Sequence, residues 1–132
     1  MNSGNRRIRI LIADDSRNAL LSVYRYLESE PDCEVIATAT DGLQLLSKAA
    51  CYRPDLVLTD LSLPRINGLQ ATTALRRTYP KMRIIIFTAL TGLSLRDECL
   101  RCGADGLVQK SQMPEKLMEE VRRLFPNDPA KQ

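Results

Sequence analysis

At 132 residues the chain has room for one domain with a sizeable core and none for a second folded unit. Its 44% hydrophobic and 27% charged residues are those of a globular protein, and the formal charge of +3 is spread over pairs such as Arg6-Arg7, Arg76-Arg77 and Arg122-Arg123, which read as solvated surface and not as a nucleic-acid patch. No apolar run reaches membrane-spanning length and MNSGNRRIR lacks an apolar signal core, so the expectation is a cytoplasmic chain with no membrane partner and no direct nucleic-acid binding.

Short apolar runs alternate with helical spacings. Ile8–Ala13 and residues 35–39, 56–59 and 84–88 are rich in branched side chains and read as strands, with a weaker run at Gly106–Gln109. Leu20, Val23, Tyr24 and Leu27 recur three or four apart and predict a first helix, while Leu43, Leu45, Leu46 and Ala49 predict a second. Residues 69–77 and 93–102 are the third and fourth helices. In the last, Leu117, Val121 and Leu124 form one stripe broadened by Met118 and Phe125, with Pro114 in the first turn. Strand and helix alternating five times predict an α/β domain, a doubly wound parallel sheet covered by helices on both faces.

The ends read differently from the rest. Residues 1–5 are expected to be a disordered N-terminus, 6–125 the folded domain, and 126–132, PNDPAKQ, a tail or the start of a linker, where two prolines forbid further helix. Of the four cysteines, Cys33, Cys51, Cys99 and Cys102, the last two form a C-x-x-C, but no second pair with metal-like spacing and no histidine complete a zinc site. Cys99 and Cys102 fall in the fourth predicted helix and read as small packing residues.

Ligands of an open parallel sheet bind beyond the carboxyl ends of its strands, near the point where strand order reverses. At those ends the sequence places Asp14 and Asp15 after the first strand, Asp60 at the third, Thr88 at the fourth and Lys110 at the fifth. Each has a plain structural explanation alone: Asp15 or Ser16 as a helix cap, Asp60 as a turn residue, Thr88 as a strand former, Lys110 as a surface lysine. Together they bring three carboxylates to one edge, where mutual repulsion is relieved by a divalent cation. Mg2+ takes oxygen ligands beside phosphate, which makes Asp14 and Asp15 a metal seat. A carboxylate is also a nucleophile toward phosphorus once charge is neutralised, work suited to the metal, the Lys110 ammonium and the Thr88 hydroxyl.

These residues, carried in ILIADDS, ATDGLQLL, RPDLVLTDLSLPRINGL, IIIFTAL and CGADGLVQKS, resemble the receiver domain of two-component response regulators over nearly the whole chain. The resemblance implies a flavodoxin-like (βα)5 fold with strand order 2-1-3-4-5. It implies that Asp60 is the phosphoacceptor of a phosphorelay, phosphorylated by a histidine kinase or a histidine phosphotransfer protein. Asp14, Asp15, Asp60 and the backbone carbonyl of Ser62 would hold Mg2+, Thr88 would be the switch hydroxyl, and Lys110 would pair with the phosphoryl group. Pro64 and Gly68 match the loop that follows the acceptor. The implied function is a phosphorylation-dependent interaction switch and not an enzyme, beyond self-phosphorylation and self-dephosphorylation. Its fourth helix, fifth strand and fifth helix would be read by a downstream protein or a fused output domain, in a monomer or a phosphorylation-dependent dimer.

Three positions depart from that pattern. Leu107 stands where such domains carry Tyr or Phe, so the aromatic that moves with the switch hydroxyl is absent. Ser111 replaces a proline after Lys110, which predicts a trans peptide there. Leu90, two beyond Thr88, is a bulky apolar group that predicts slow attack of water on an aspartyl phosphate. An alternative reading is the amino-terminal receiver fragment of a helix-turn-helix DNA-binding transcriptional regulator. A phosphohydrolase is disfavoured because Ser62 stands where a second acid is needed, and a flavin protein because the first loop offers aspartates in place of glycines. A phosphorylation-independent receiver is weighed against the intact acidic set.

Overall fold

The computed structural model describes residues 6–90 and 92–126. In chain order the elements are β1 (Ile8–Ala13), α1 (Arg17–Glu28), β2 (Cys33–Ala39), α2 (Gly42–Tyr52), β3 (Leu56–Asp60), α3 (Gly68–Thr78), β4 (Arg83–Thr88), α4 (Leu93–Arg101), β5 (Gly106–Gln109) and α5 (Glu115–Leu124), with a short 3-10 turn at Lys110–Gln112. The strands form one parallel sheet ordered β2-β1-β3-β4-β5. This is the flavodoxin-like order 2-1-3-4-5, with its reversal between β1 and β3.

Alternation along β1 explains both faces. Ile8, Ile10 and Ile12 join Val23 and Leu27 of α1 and Leu117 and Val121 of α5 in one core. Leu11 and Ala13 point the other way and pack with Leu45, Ala49, Ala71 and Leu75 of α2 and α3. Under α4, Ile86 and Leu107 meet Cys99 and Ala104. Each fully buried Leu or Ile contributes about 1.5–3 kcal/mol, so a sheet apolar on both faces is held by the helices on both sides.

Local signals set the helix ends. Ser16, not Asp15, caps α1, accepting from Ala19 N at 3.2 Å. Asn67 and Gln70 form a reciprocal capping box at α3. Pro114 occupies the cap position ahead of α5 and not its first turn, and the Met113–Pro114 peptide is cis while Lys110–Ser111 is trans, as expected. β2 begins two residues earlier than predicted, at Cys33, which is buried against the α1 and α5 core.

Two members of the predicted stripes are not core residues. Tyr24 and Leu43 are 38% and 47% exposed. Tyr24 follows the buried Val23, about 100° round the helix, and Leu43 lies about 200° from Leu45, so a helix seated on a flat sheet turns both toward solvent. The expectations for residues 1–5 and 127–132 lie outside the described residues.

The amino edge of the sheet is closed by polar contacts that no periodicity signals. Asp105 accepts from Arg76 Nη2 at 2.7 Å and from Ile84 N at 2.8 Å, while Arg76 also donates to the carbonyls of Gly103, Pro80 and Met82. Together they lock the end of α3 to the starts of β4 and β5.

Candidate functional site

Strand register assembles the site. Ala13 pairs with Thr59, so the residues that follow, Asp14 and Asp60, lie side by side where strand order reverses. Asp60 in turn pairs with Phe87, and Thr88 with Gln109, which brings Thr88 and Lys110 into the same row. All the residues singled out in the sequence, Asp14, Asp15, Asp60, Ser62, Thr88 and Lys110, therefore lie at one edge. Asp14, Asp60 and Thr88 are buried, Asp15 and Ser62 are exposed, and Lys110 is half-buried.

The same local device recurs at three strand ends. Asp14 Oδ1 accepts from Ser16 N at 2.9 Å, Asp60 Oδ1 from Ser62 N at 3.1 Å, and Thr88 Oγ1 from Leu90 N at 3.0 Å. Short polar side chains that bond the backbone two residues on turn the chain out of the strand. Each aspartate thereby commits one oxygen to its own turn and leaves the other free for the site. Those free oxygens, Asp60 Oδ2 and Asp14 Oδ2, accept from Lys110 Nζ at 3.0 and 3.2 Å.

Oxygens of Asp14, Asp15 and Asp60 lie within 4.8 Å of one another. Burial pushes the Asp14 carboxyl above its ordinary value and the Asp60 charge adds to that, while the Ser16 amide and Lys110 work against it. Burial also opposes the Lys110 ammonium, but its hydrogen bonds and charge pairing with Asp60 and Asp14 outweigh it, so Lys110 stays protonated more firmly than a free lysine. The arrangement is a strongly negative pocket with one fixed cation. Its donors are all hard oxygens, a set that fits a small divalent cation.

The loop after Asp60 is held close. Gly68 N donates to Leu61 O at 2.8 Å, and a Cβ at Gly68 would meet Asp60 O and, at 2.9 Å, Leu61 Cα. Pro64 O accepts from Gly42 N at 3.1 Å, tying this loop to α2. One neighbour was invisible in the sequence as anything but core: the Phe87 ring, with Lys110 Nζ 5.3 Å from its centroid. Phe87 sits in an apolar strand, and only the fold shows which ring meets the lysine.

Comparison with known proteins decides the family. The response regulator receiver domain matches residues 10–122. The chain belongs to this family. The receiver is 32% identical to the transcriptional regulatory protein DegU of Brevibacillus brevis, over 88% of this chain and 49% of that protein. It is 31% identical to a protein-glutamate methylesterase/protein-glutamine glutaminase of Thermotoga maritima, over 95% of this chain and 39% of that protein. The crystal structure of the response regulator domain of Thermotoga maritima CheB aligns with a TM-score of 0.85 at 30% identity, covering 94% of this chain and all of that one. The receiver thus spans half or less of the length of these two curated relatives.

The departures noted in the sequence have definite places in the receiver. Leu107 is already turned inward, buried among Leu61, Ile86, Cys99 and Ala104. Leu90 is 55% exposed beside the Thr88 hydroxyl that its own amide bonds. Cys99 is fully buried in the same cluster and burial raises its thiol pKa, in keeping with a packing role. Among the described residues no helix is long and apolar enough to cross a membrane.

Proposed function

We propose that this receiver takes a phosphoryl group on Asp60 and passes the signal on as a change of surface. The observation that carries the reading is the free Asp60 Oδ2, flanked by Asp14 and Asp15 and held 3.0 Å from Lys110 Nζ. The donor would be a phosphohistidine on a histidine kinase or phosphotransfer protein. Asp60 Oδ2 attacks phosphorus, the phosphorus–nitrogen bond breaks, and its electron pair returns to the imidazole, which then takes up a proton.

Asp14, Asp15, Asp60 and the Ser62 carbonyl are the groups that would hold Mg2+. When bound, Mg2+ supplies positive charge for the carboxylates and the phosphoryl oxygens. Lys110 pairs with a phosphoryl oxygen in place of the carboxylate it now holds. Thr88 releases the Leu90 amide and turns its hydroxyl toward the phosphoryl group, which moves the backbone after β4 and biases α4 against β5. With Leu107 already buried, that backbone shift carries the signal in place of an inward aromatic. The working location on this reading is the cytoplasm.

Intact mass after incubation with a small phosphodonor and Mg2+, beside Asp60→Asn, tests the reading. A Mg2+-dependent gain of one phosphoryl group in the parent alone is expected; no gain, even from a phosphohistidine donor, refutes it. Leu90→Glu is expected to shorten the life of the product by admitting water.

A second reading, the receiver segment of a longer DNA-binding transcriptional regulator, is favoured by the alignment to DegU, of which this chain covers 49%. The coding sequence beyond Gln132 tests it. An in-frame helix-turn-helix domain supports the fused form, and a stop codon leaves a separate protein as the target.

A further inference from the structure

We propose that Phe87 is a positioning residue for Lys110: its ring face holds the ammonium in place while both carboxylate partners are taken away during phosphoryl transfer. The inference rests on the reading of Asp60 as phosphoacceptor and adds to it a residue that the acidic set does not include.

Lys110 Nζ makes contacts of two kinds, with two carboxylates and with one aromatic ring. It donates to Asp60 Oδ2 and Asp14 Oδ2 at 3.0 and 3.2 Å, and it lies 5.3 Å from the Phe87 ring centroid. The two carboxylates do not stay as they are. Asp14 is among the groups that would hold a divalent cation, and formation of the acyl phosphate converts the Asp60 carboxylate into a mixed anhydride whose charge sits on the phosphoryl oxygens. Of these three contacts among the described residues, the one with the ring is left unchanged by the reaction.

The ring is also deeply buried and set in a paired strand. Phe87 is 1% exposed, pairs with Asp60 across the ladder, and accepts Leu61 N on its carbonyl at 3.0 Å. Its ring is part of the core formed with Val108 and Leu117. A cation over a desolvated ring face is attracted by the ring quadrupole, and this attraction does not depend on the protonation or esterification of any neighbour.

The space around the lysine gives the ring something to prevent. A cavity of about 160 Å³ beside Asp14 is lined by Ala19, Val23, Phe87, Lys110 and Met113, and the Lys110 side chain is 32% exposed. Released by its carboxylates, the flexible stem has both solvent and this cavity to enter. The ring face keeps the ammonium at the edge where the phosphoryl group arrives, so less order has to be imposed at the moment of reaction.

Two variants separate positioning from packing. Phe87→Leu removes the ring, and trifluorinated phenylalanine at position 87 keeps its shape while weakening the quadrupole. In the unphosphorylated parent the Lys110 ε-methylene protons should show an upfield ring-current shift that Phe87→Leu abolishes. Phosphorylation by a small phosphodonor should slow by about threefold to thirtyfold in Phe87→Leu and by a smaller factor in the fluorinated protein, with Mg2+ affinity unchanged in both. A fluorinated protein phosphorylated at the parental rate overturns the proposal, as does a folded parent without the ring-current shift. Should Phe87→Leu fail to fold, the fluorinated protein alone decides. A parent that takes no phosphoryl group from any donor refutes the phosphoacceptor reading and the positioning role with it, and the ring-current shift then reports separately whether ring and ammonium touch.

Discussion

Lys110 Nζ lies 3.0 Å from Asp60 Oδ2 across 50 residues of sequence, and the same ammonium reaches Asp14. One cation thus offsets two buried carboxylates in the metal-free protein. Lys110→Ala leaves them facing each other, and a loss of about 1–3 kcal/mol is expected in urea unfolding without metal. If Mg2+ is held by the acidic set as proposed, its addition should shrink that loss. An equal loss with and without Mg2+ would place the effect in packing.

Asp14 carries the opposite expectation. Because burial and the Asp60 charge raise its pKa in the folded protein, folding penalises the ionised form. The stability so affected is present below the unfolded pKa of 3.8 and falls as pH rises toward the folded value. Asp14→Asn escapes this, so in metal-free buffer it should gain on the parent as pH climbs from acid to neutral. A rise in melting temperature with Mg2+ is expected in the parent, and Asp14→Asn should lose it. Parallel melts over pH, with and without Mg2+, check both.

Gly68 tests the loop behind Asp60. A methyl there meets Asp60 O and the Leu61 backbone, atoms that cannot step aside without moving Asp60. Gly68→Ala is expected to cost about 1–3 kcal/mol and to slow phosphorylation of Asp60 together with stability. Unchanged kinetics in a destabilised variant would show that the loop relaxes away from the site.

The Asp105 tie belongs to stability alone. Asp105→Ala takes this acceptor from the Ile84 amide and the carboxylate from Arg76, which keeps its three carbonyl acceptors, with an expected loss of roughly 1–3 kcal/mol. Phosphorylation of the folded fraction should proceed at the parental rate. Denaturant unfolding beside single-turnover phosphorylation separates the two effects.

Cys33 offers a second pH test, remote from the acidic edge. Burial, with the Asp32 charge adding to it, pushes its thiol from 9.0 to about 11. The stability it contributes is present below pH 9.0 and is lost as pH rises through the folded value of about 11, because the unfolded chain ionises first. Cys33→Ala should show a shallower decline over that window. In the native protein at neutral pH, a thiol reagent should modify the exposed Cys51 well before Cys33 or Cys99.

The sequence by itself determined the elements and the edge. β1 and β5 have the limits the apolar runs predicted, because a strand covered by helices is mostly apolar and ends where that run ends, with Arg9 and Gln109 as the partly buried members. Once the strands are parallel, all their carboxyl ends share one side, so Asp14, Asp15, Asp60, Thr88 and Lys110 were legible as a set before any coordinate. Ser16 against Asp15 as the cap, and Tyr24 and Leu43 outside the core, were not, since a period names a face only to within a turn.

Only the tertiary structure decided which of those groups touch. Register sets Asp14 beside Asp60, and the turn after β5 carries Lys110 to Asp14 from 96 residues away. The ring that meets its ammonium and the arginine that locks Asp105 from 29 residues away have the same origin. Local composition reports what a residue prefers within a few neighbours along the chain. Contacts of this kind are set by strand pairing and helix docking, which act on the whole fold at once.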